Sequence, residues 1–182
     1  RLGDARQGGA QDGVPRARRF RGTLTVGHMH QLPDVAIKQD DRAFLQYTGG
    51  TTGGAKGAML THRNLVANMQ QAAAWVGGNV RMGEELIVTA LPLYHIFALT
   101  ANCLVFIKFG AHNVLITNPR DMPGFIKEIK SLRFTAITGV NPLFNGLLHT
   151  PGFDQVDVSK LHLTLGGGLE VQRRVAAKGK QV

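Results

Sequence analysis

The chain is nearly free of cysteine: Cys103 is the only one in 182 residues. That excludes an internal disulfide framework and a Cys-rich zinc site. Acidic residues are scarce, with 12 Asp and Glu against 21 Lys and Arg, and the formal net charge is +9. The excess sits mainly in the ends: residues 1–21 carry +4, residues 170–182 carry +3, and residues 22–169 only +2. Aromatics are 7% of the chain and do not interleave with basic runs in its middle. Nucleic-acid binding is therefore not expected. No apolar core follows the first arginines, so no secretory leader is read, and the cytoplasm is the expected compartment. The chain starts at Arg1 rather than Met and stops at Val182, and a piece of a longer protein is expected.

A bilayer-spanning run is also missing. Residues 86–107 carry no formal charge and are long enough to cross. Pro92 interrupts them, however, and His95 and Asn102 are polar. They read as a buried strand, a turn and a buried helix.

What remains is a chain long enough for one domain with a real core, 43% hydrophobic. Residues 1–33 are rich in Gly, Arg and Gln and show little apolar periodicity; residues 1–37 read as a linker or poorly ordered basic tail. Residues 38–172 read as the folded part and 173–182 as a second basic tail. Apolar strands are predicted at 43–47, 86–91, 113–116, 134–138 and 161–165. Helices are predicted from Thr61 to about Val76, from His95 to Phe109, from Asp121 to about Ser131, and from Pro142 to Leu148, with another possible after the fifth strand. Gly77-Gly78 is expected to end the first of these. Met69 and Trp75 on it read as core, as does Cys103. The alternation predicts an α/β fold with a largely parallel sheet flanked by helices. Ligands of such sheets bind at the C-terminal ends of the strands. Two glycine-rich segments, 48–57 and 166–168, are expected at such ends.

The sharpest motif is Thr48-Gly49-Gly50-Thr51-Thr52-Gly53-Gly54-Ala55-Lys56-Gly57. Five glycines let backbone N–H groups converge on phosphate oxygens. The threonines add hydroxyls, and Lys56 adds a mobile positive charge. The common P-loop puts Gly before its lysine and Ser or Thr after it; here Ala55 and Gly57 stand there. The spacing is not the dinucleotide fingerprint either. The remaining histidines show no metal-ligand spacing.

This loop resembles the phosphate loop of the adenylate-forming superfamily, which includes acyl-CoA synthetases, luciferases and peptide-synthetase adenylation domains. Ala55 departs from the proline usual there. Further motifs agree in order: Leu45-Gln46-Tyr47 before the loop, Ala58-Met59-Leu60-Thr61-His62-Arg63-Asn64 behind it, then Ala90-Leu91-Pro92-Leu93-Tyr94-His95-Ile96-Phe97-Ala98-Leu99, Thr117-Asn118-Pro119-Arg120-Asp121 and Thr135-Ala136-Ile137-Thr138-Gly139-Val140-Asn141. Within the superfamily these residues are most similar to bacterial long-chain fatty-acid–CoA ligases, over about residues 40–172.

The resemblance implies part of the superfamily's large N-terminal domain, and a two-step ligation. A fatty-acid carboxylate attacks the α-phosphate of ATP, releasing pyrophosphate; the thiol of coenzyme A then displaces AMP. It implies that Thr48, Gly49, Gly50, Thr51, Thr52, Gly53 and Lys56 hold phosphates, with Thr48 a contact for Mg²⁺. It places His95 near the carboxylate, Gly166, Gly167 and Gly168 near the nucleotide and acyl chain, and Val140 and Asn141 along the acyl tunnel. Fatty acid, ATP and coenzyme A are the implied partners, with peripheral contact at the inner face of the membrane. The superfamily's later aromatic-Gly-x-Thr-Glu stretch and catalytic lysine do not occur among these residues, so the 182 residues alone are expected to be inactive. A nucleotide-binding module without turnover, a remnant, and a ligase for another carboxylic acid are the competing readings.

Overall fold

A computed structural model describes residues 20–48 and 56–167. The chain divides into two compact units, residues 1–37 and 38–182. In the first, helix α1 (Phe20–Gly27) forms where composition predicts no structure, and it buries none of its residues.

The second unit begins with a hairpin. Strand β1 (Arg42–Thr48) pairs antiparallel with β2 (Lys56–Thr61). The sequence predicts β1 but treats residues 56–60 as loop and approach. Helix α2 (His62–Val76) follows with no linker. Thr61 accepts from the backbone N–H of Asn64 while the Asn64 side chain accepts from the Thr61 backbone, a reciprocal capping box. Gly77 does not adopt the left-handed cap that a glycine pair suggests; at φ −58° it leads into a 3-10 turn, Gly77–Asn79.

Strands β3 (Leu86–Thr89), β4 (His112–Leu115), β5 (Ala136–Gly139) and β6 (Leu163–Gly166) form one parallel sheet in the order β4-β3-β5-β6. Among the described residues the parallel sheet thus has four strands rather than five, because β1 belongs to the separate hairpin. Between β3 and β4 runs one helix, α3, over residues 96–108. Its ends, Ile96–Ala98 and Phe106–Lys108, are α-helical, and its middle, Leu99–Val105, is π-helical. Gly110 at φ +68° takes the left-handed turn that ends it. Helix α4 (Met122–Ile129) is capped by Asp121, with Pro123 in its first turn, and α5 (Asn141–His149) carries Pro142 in the same place. The uncharged stretch from 86 onward is thus a strand, a turn and a helix. Among the described residues no helix is long and apolar enough to cross a membrane.

The sheet is covered on both faces, so its strands read as nearly continuous apolar runs. Val88 and Ile137 point into a core with Phe125, Ile126 and Ile129 of α4 and Leu143 and Leu147 of α5. Ile87 and Ala136, one residue along, point the other way, toward Ala73 and Val76 of α2 and Val105 and Phe106 of α3. The period of two sends alternate residues of each strand into different layers.

Two polar groups tie the strand ends. At the N-terminal end, the buried Glu85 carboxylate accepts from the Arg81 backbone N–H at 2.7 Å and from the Thr135 hydroxyl, and lies 3.4 Å from Nε2 of His162. These residues precede β3, β5 and β6. At the C-terminal end, Asn102 of α3 is fully buried and bonded to Thr89 and Thr138.

Candidate functional site

The hairpin sets up the first half of the site. Thr48 and Lys56 are Cα partners across β1 and β2. The glycine-threonine segment 49–55 between them lies outside the described residues, so Gly49, Gly50, Thr51, Thr52 and Gly53 are not placed, nor is the Thr48 side chain. The structure does bring the two ends of the segment together and leaves Lys56 exposed. The sequence expects this segment at the end of a parallel strand; the strand before it, β1, pairs antiparallel with β2 instead. Gly57 follows, and a Cβ on it would come within 3.3 Å of the Tyr47 ring.

The second half is the C-terminal edge of the parallel sheet. There Gly139 and Gly166 are Cα partners, and the Gly167 N–H donates to the Gly139 carbonyl at 3.1 Å. A Cβ on Gly167 would lie 2.6 Å from the Phe97 ring, so glycine is what lets that ring sit over the strand end. Gly168 lies outside the described residues. Val140 is packed, half-buried, against the core on the α4 and α5 side, and Asn141 opens α5.

His95 begins α3. Its Nδ1 accepts the Phe97 backbone N–H at 3.2 Å, capping the helix. An accepting Nδ1 carries no proton, so the neutral ring keeps its hydrogen on Nε2. His95 is exposed and is set up as a hydrogen-bond donor through Nε2. The hairpin reaches this segment directly, because the Gln46 side-chain amide donates to the Tyr94 carbonyl at 3.0 Å.

Between α2, α3 and β6 lies a groove of about 410 Å³. Trp75 and Ala72 of α2, Phe97 and Ala101 of α3, and Leu165 and Gly166 of β6 are among its lining residues. Trp75 is therefore not core; it is 77% exposed. It sits between the buried Ala73 and Val76 in sequence, but one residue turns a helix by about 100°, which carries Trp75 off the buried stripe. Met69 does pack, partly buried, against the core, and Cys103 is partly buried.

The chain's sequence matches the AMP-binding enzyme family over residues 4–182. The chain belongs to that family. Long-chain-fatty-acid–CoA ligase of Escherichia coli O6:H1 is 58% identical over 165 residues, which are 91% of this chain and 29% of that protein. The protein of the same name from Haemophilus influenzae is 51% identical over 169 residues, 91% of this chain and 30% of its own. The chain therefore spans under a third of the curated relatives it matches. The described fold agrees with the N-terminal domain of FACL13 from Mycobacterium tuberculosis at TM-score 0.70 and 24% identity, covering 82% of this chain and 36% of that one.

In this AMP-binding chain the family match starts at residue 4, well before the motif-bearing stretch that begins near residue 40. Sequence reasoning missed three working parts: β2, the π-helical middle of α3, and the wall that Trp75 gives the groove. The first carries no alternation to mark it, since residues 56–59 are all exposed. The other two depend on helix register, which composition does not report.

Proposed function

We propose that the gene product carrying this chain activates long-chain fatty acids with ATP and transfers them to coenzyme A. The observation that carries this reading is the apolar groove between α2, α3 and the C-terminal end of β6, in a chain whose hairpin pairs Thr48 with Lys56. The high identity to ligases of that name supports it. In the first step a carboxylate oxygen bonds to the α-phosphorus of ATP, and the bond to pyrophosphate breaks. In the second the coenzyme A sulfur bonds to the acyl carbon, its proton is lost, and AMP leaves.

Lys56 and the N–H groups of the segment before it would hold the β- and γ-phosphates and offset charge building on the leaving pyrophosphate. The Nε2–H of His95 would donate to the carboxylate and orient it, and the Trp75 and Phe97 walls would take the chain. A threonine hydroxyl is a hard oxygen donor that suits Mg²⁺, and Thr48 is its proposed protein contact. When bound, the ion supplies charge neutralisation among phosphate oxygens. A fatty acid partitions into bilayers, so a cytoplasmic protein meeting the inner face of the membrane peripherally completes the proposal.

The test is exchange of labelled pyrophosphate into ATP by the gene product, with a series of fatty acids and aromatic acids. Palmitate-dependent exchange, lowered about a hundredfold in Lys56→Ala, is expected. Exchange driven by an aromatic or amino acid and not by fatty acids overturns the proposal. The 182-residue chain by itself is expected to give no exchange.

A further inference from the structure

The π-helical middle of α3 coincides with a directed chain of hydrogen bonds and has an effect on which residues line the groove. The Thr138 hydroxyl donates to Oδ1 of Asn102, Nδ2 of Asn102 donates to Oγ1 of Thr89, and the Thr89 hydroxyl donates to Oδ1 of Asn113, each at 2.8 Å. Asn102 is thereby fixed to β5 and β3, and through Thr89 to β4. Its side chain is fully buried, where an unpaired amide would be costly. The helix must therefore keep Asn102 turned to the sheet.

The effect is on the groove. Residues of α3 reach it in pairs: Ile96 and Phe97, Thr100 and Ala101, Val105 and Phe106. The last step, from 100–101 to 105–106, is five residues. An α-helical step of 3.6 would bring 104 and 105 round instead. A five-residue step is that of the π turn, and it coincides with Leu99–Val105.

We propose that Asn102 is a positioning residue that sets chain-length preference. It pins the π turn to Thr89 and Thr138, and the π turn decides which residues form the deep wall of the groove. Asn102 itself faces away from the groove. The inference rests on the groove being the acyl site.

The test uses the complete gene product. Thr89→Val, Asn102→Leu and Thr138→Val are combined, which removes the clamp as a unit and leaves only the half-buried Asn113 amide without its Thr89 donor. Two readouts are taken: a crystal structure of the variant, and displacement of a fluorescent fatty acid by decanoate and by palmitate. The π turn is expected to relax to an α-helix, and the palmitate-to-decanoate affinity ratio to change about tenfold. Thr89→Ser with Thr138→Ser keeps the hydroxyls and is expected to keep both the turn and the ratio. A triple variant that retains the π turn overturns the proposal, as does a relaxed helix with an unchanged ratio. If the unmodified protein binds no fatty acid, the acyl reading of the groove fails and the specificity claim falls with it; the crystal structure still decides what holds the turn.

Discussion

The side-chain amide of Gln46 donates to the carbonyl of Tyr94, 48 positions away in sequence, at 3.0 Å. This bond joins the hairpin that flanks the phosphate-type segment to the residue before His95. It links the two-stranded hairpin to the turn that follows β3 of the parallel sheet. Gln46→Ala is expected to lower kcat/KM for fatty-acid activation about fivefold, the worth of one net hydrogen bond. The melting temperature should stay within a few degrees, because the bond is exposed. Steady-state kinetics and a thermal melt on the same preparation check both.

Gly167→Ala puts a methyl group where the Phe97 ring lies, at 2.6 Å. The ring must swing away, and Phe97 lines the groove. Fatty-acid affinity is expected to fall about tenfold. Adding Phe97→Leu should restore much of it. Titration with a fluorescent fatty acid on the single and double variants measures the recovery, and an additive loss would show that the two sites act separately.

Glu85→Leu removes the acceptor for the Arg81 backbone N–H and the Thr135 hydroxyl, and the neighbour of His162. The carboxylate is buried, so its donors cannot simply turn to water. A loss of about 3 kcal/mol in unfolding free energy is expected. Urea unfolding measures it. Activity per folded molecule should change little, since no residue of this cluster lines the groove.

Hydrogen bonds from the Ser159 hydroxyl and backbone N–H, with help from the Arg133 guanidinium, hold the Asp157 carboxyl below the usual carboxylate range. The folded state therefore binds this proton less readily than the unfolded state. Stability from this group is full above the ordinary carboxylate value and is lost as pH falls through the lower, folded one. Asp157→Asn should flatten the acid limb of a stability-against-pH curve by removing, at neutral pH, a stabilisation that the unmodified protein loses in acid. The loss at neutral pH is small because the pair with Arg133 is solvent-screened, and the curves should converge at low pH. Melts from neutral pH down into the acid range test the shape.

Where local pattern and tertiary need agree, the fold was legible. Asp121 with Pro123, and Thr61 with Asn64, announce helix starts, and both caps form. The strands at 86–89 and 136–139 are apolar because both faces are buried, and they were found. The hairpin was harder to see. Its second strand has no alternation to betray it, since residues 56–59 are all exposed. Assigning β1 to the parallel sheet followed from treating every apolar strand as equivalent. Trp75 was misplaced for a related reason: size and apolarity suggest burial, but the turn of α2 decides it. Of the candidate site residues, Lys56, His95, Gly166 and Gly167 are singled out by motif. Asn102 was noted only as a polar interruption, because its three-strand bonding exists only after folding.

The hairpin has a mechanical consequence. Strand β2 runs into α2 without a spare residue, and the capping box of Thr61 and Asn64 stiffens the joint. Lys56 is at one end of this rod, and Trp75 is near the other, about 20 Å of helix further on. A displacement of Trp75 is a displacement of the same unbroken strand-helix segment that carries Lys56. On the proposed function, the wall that meets the acyl chain and the lysine that meets phosphate share a single lever.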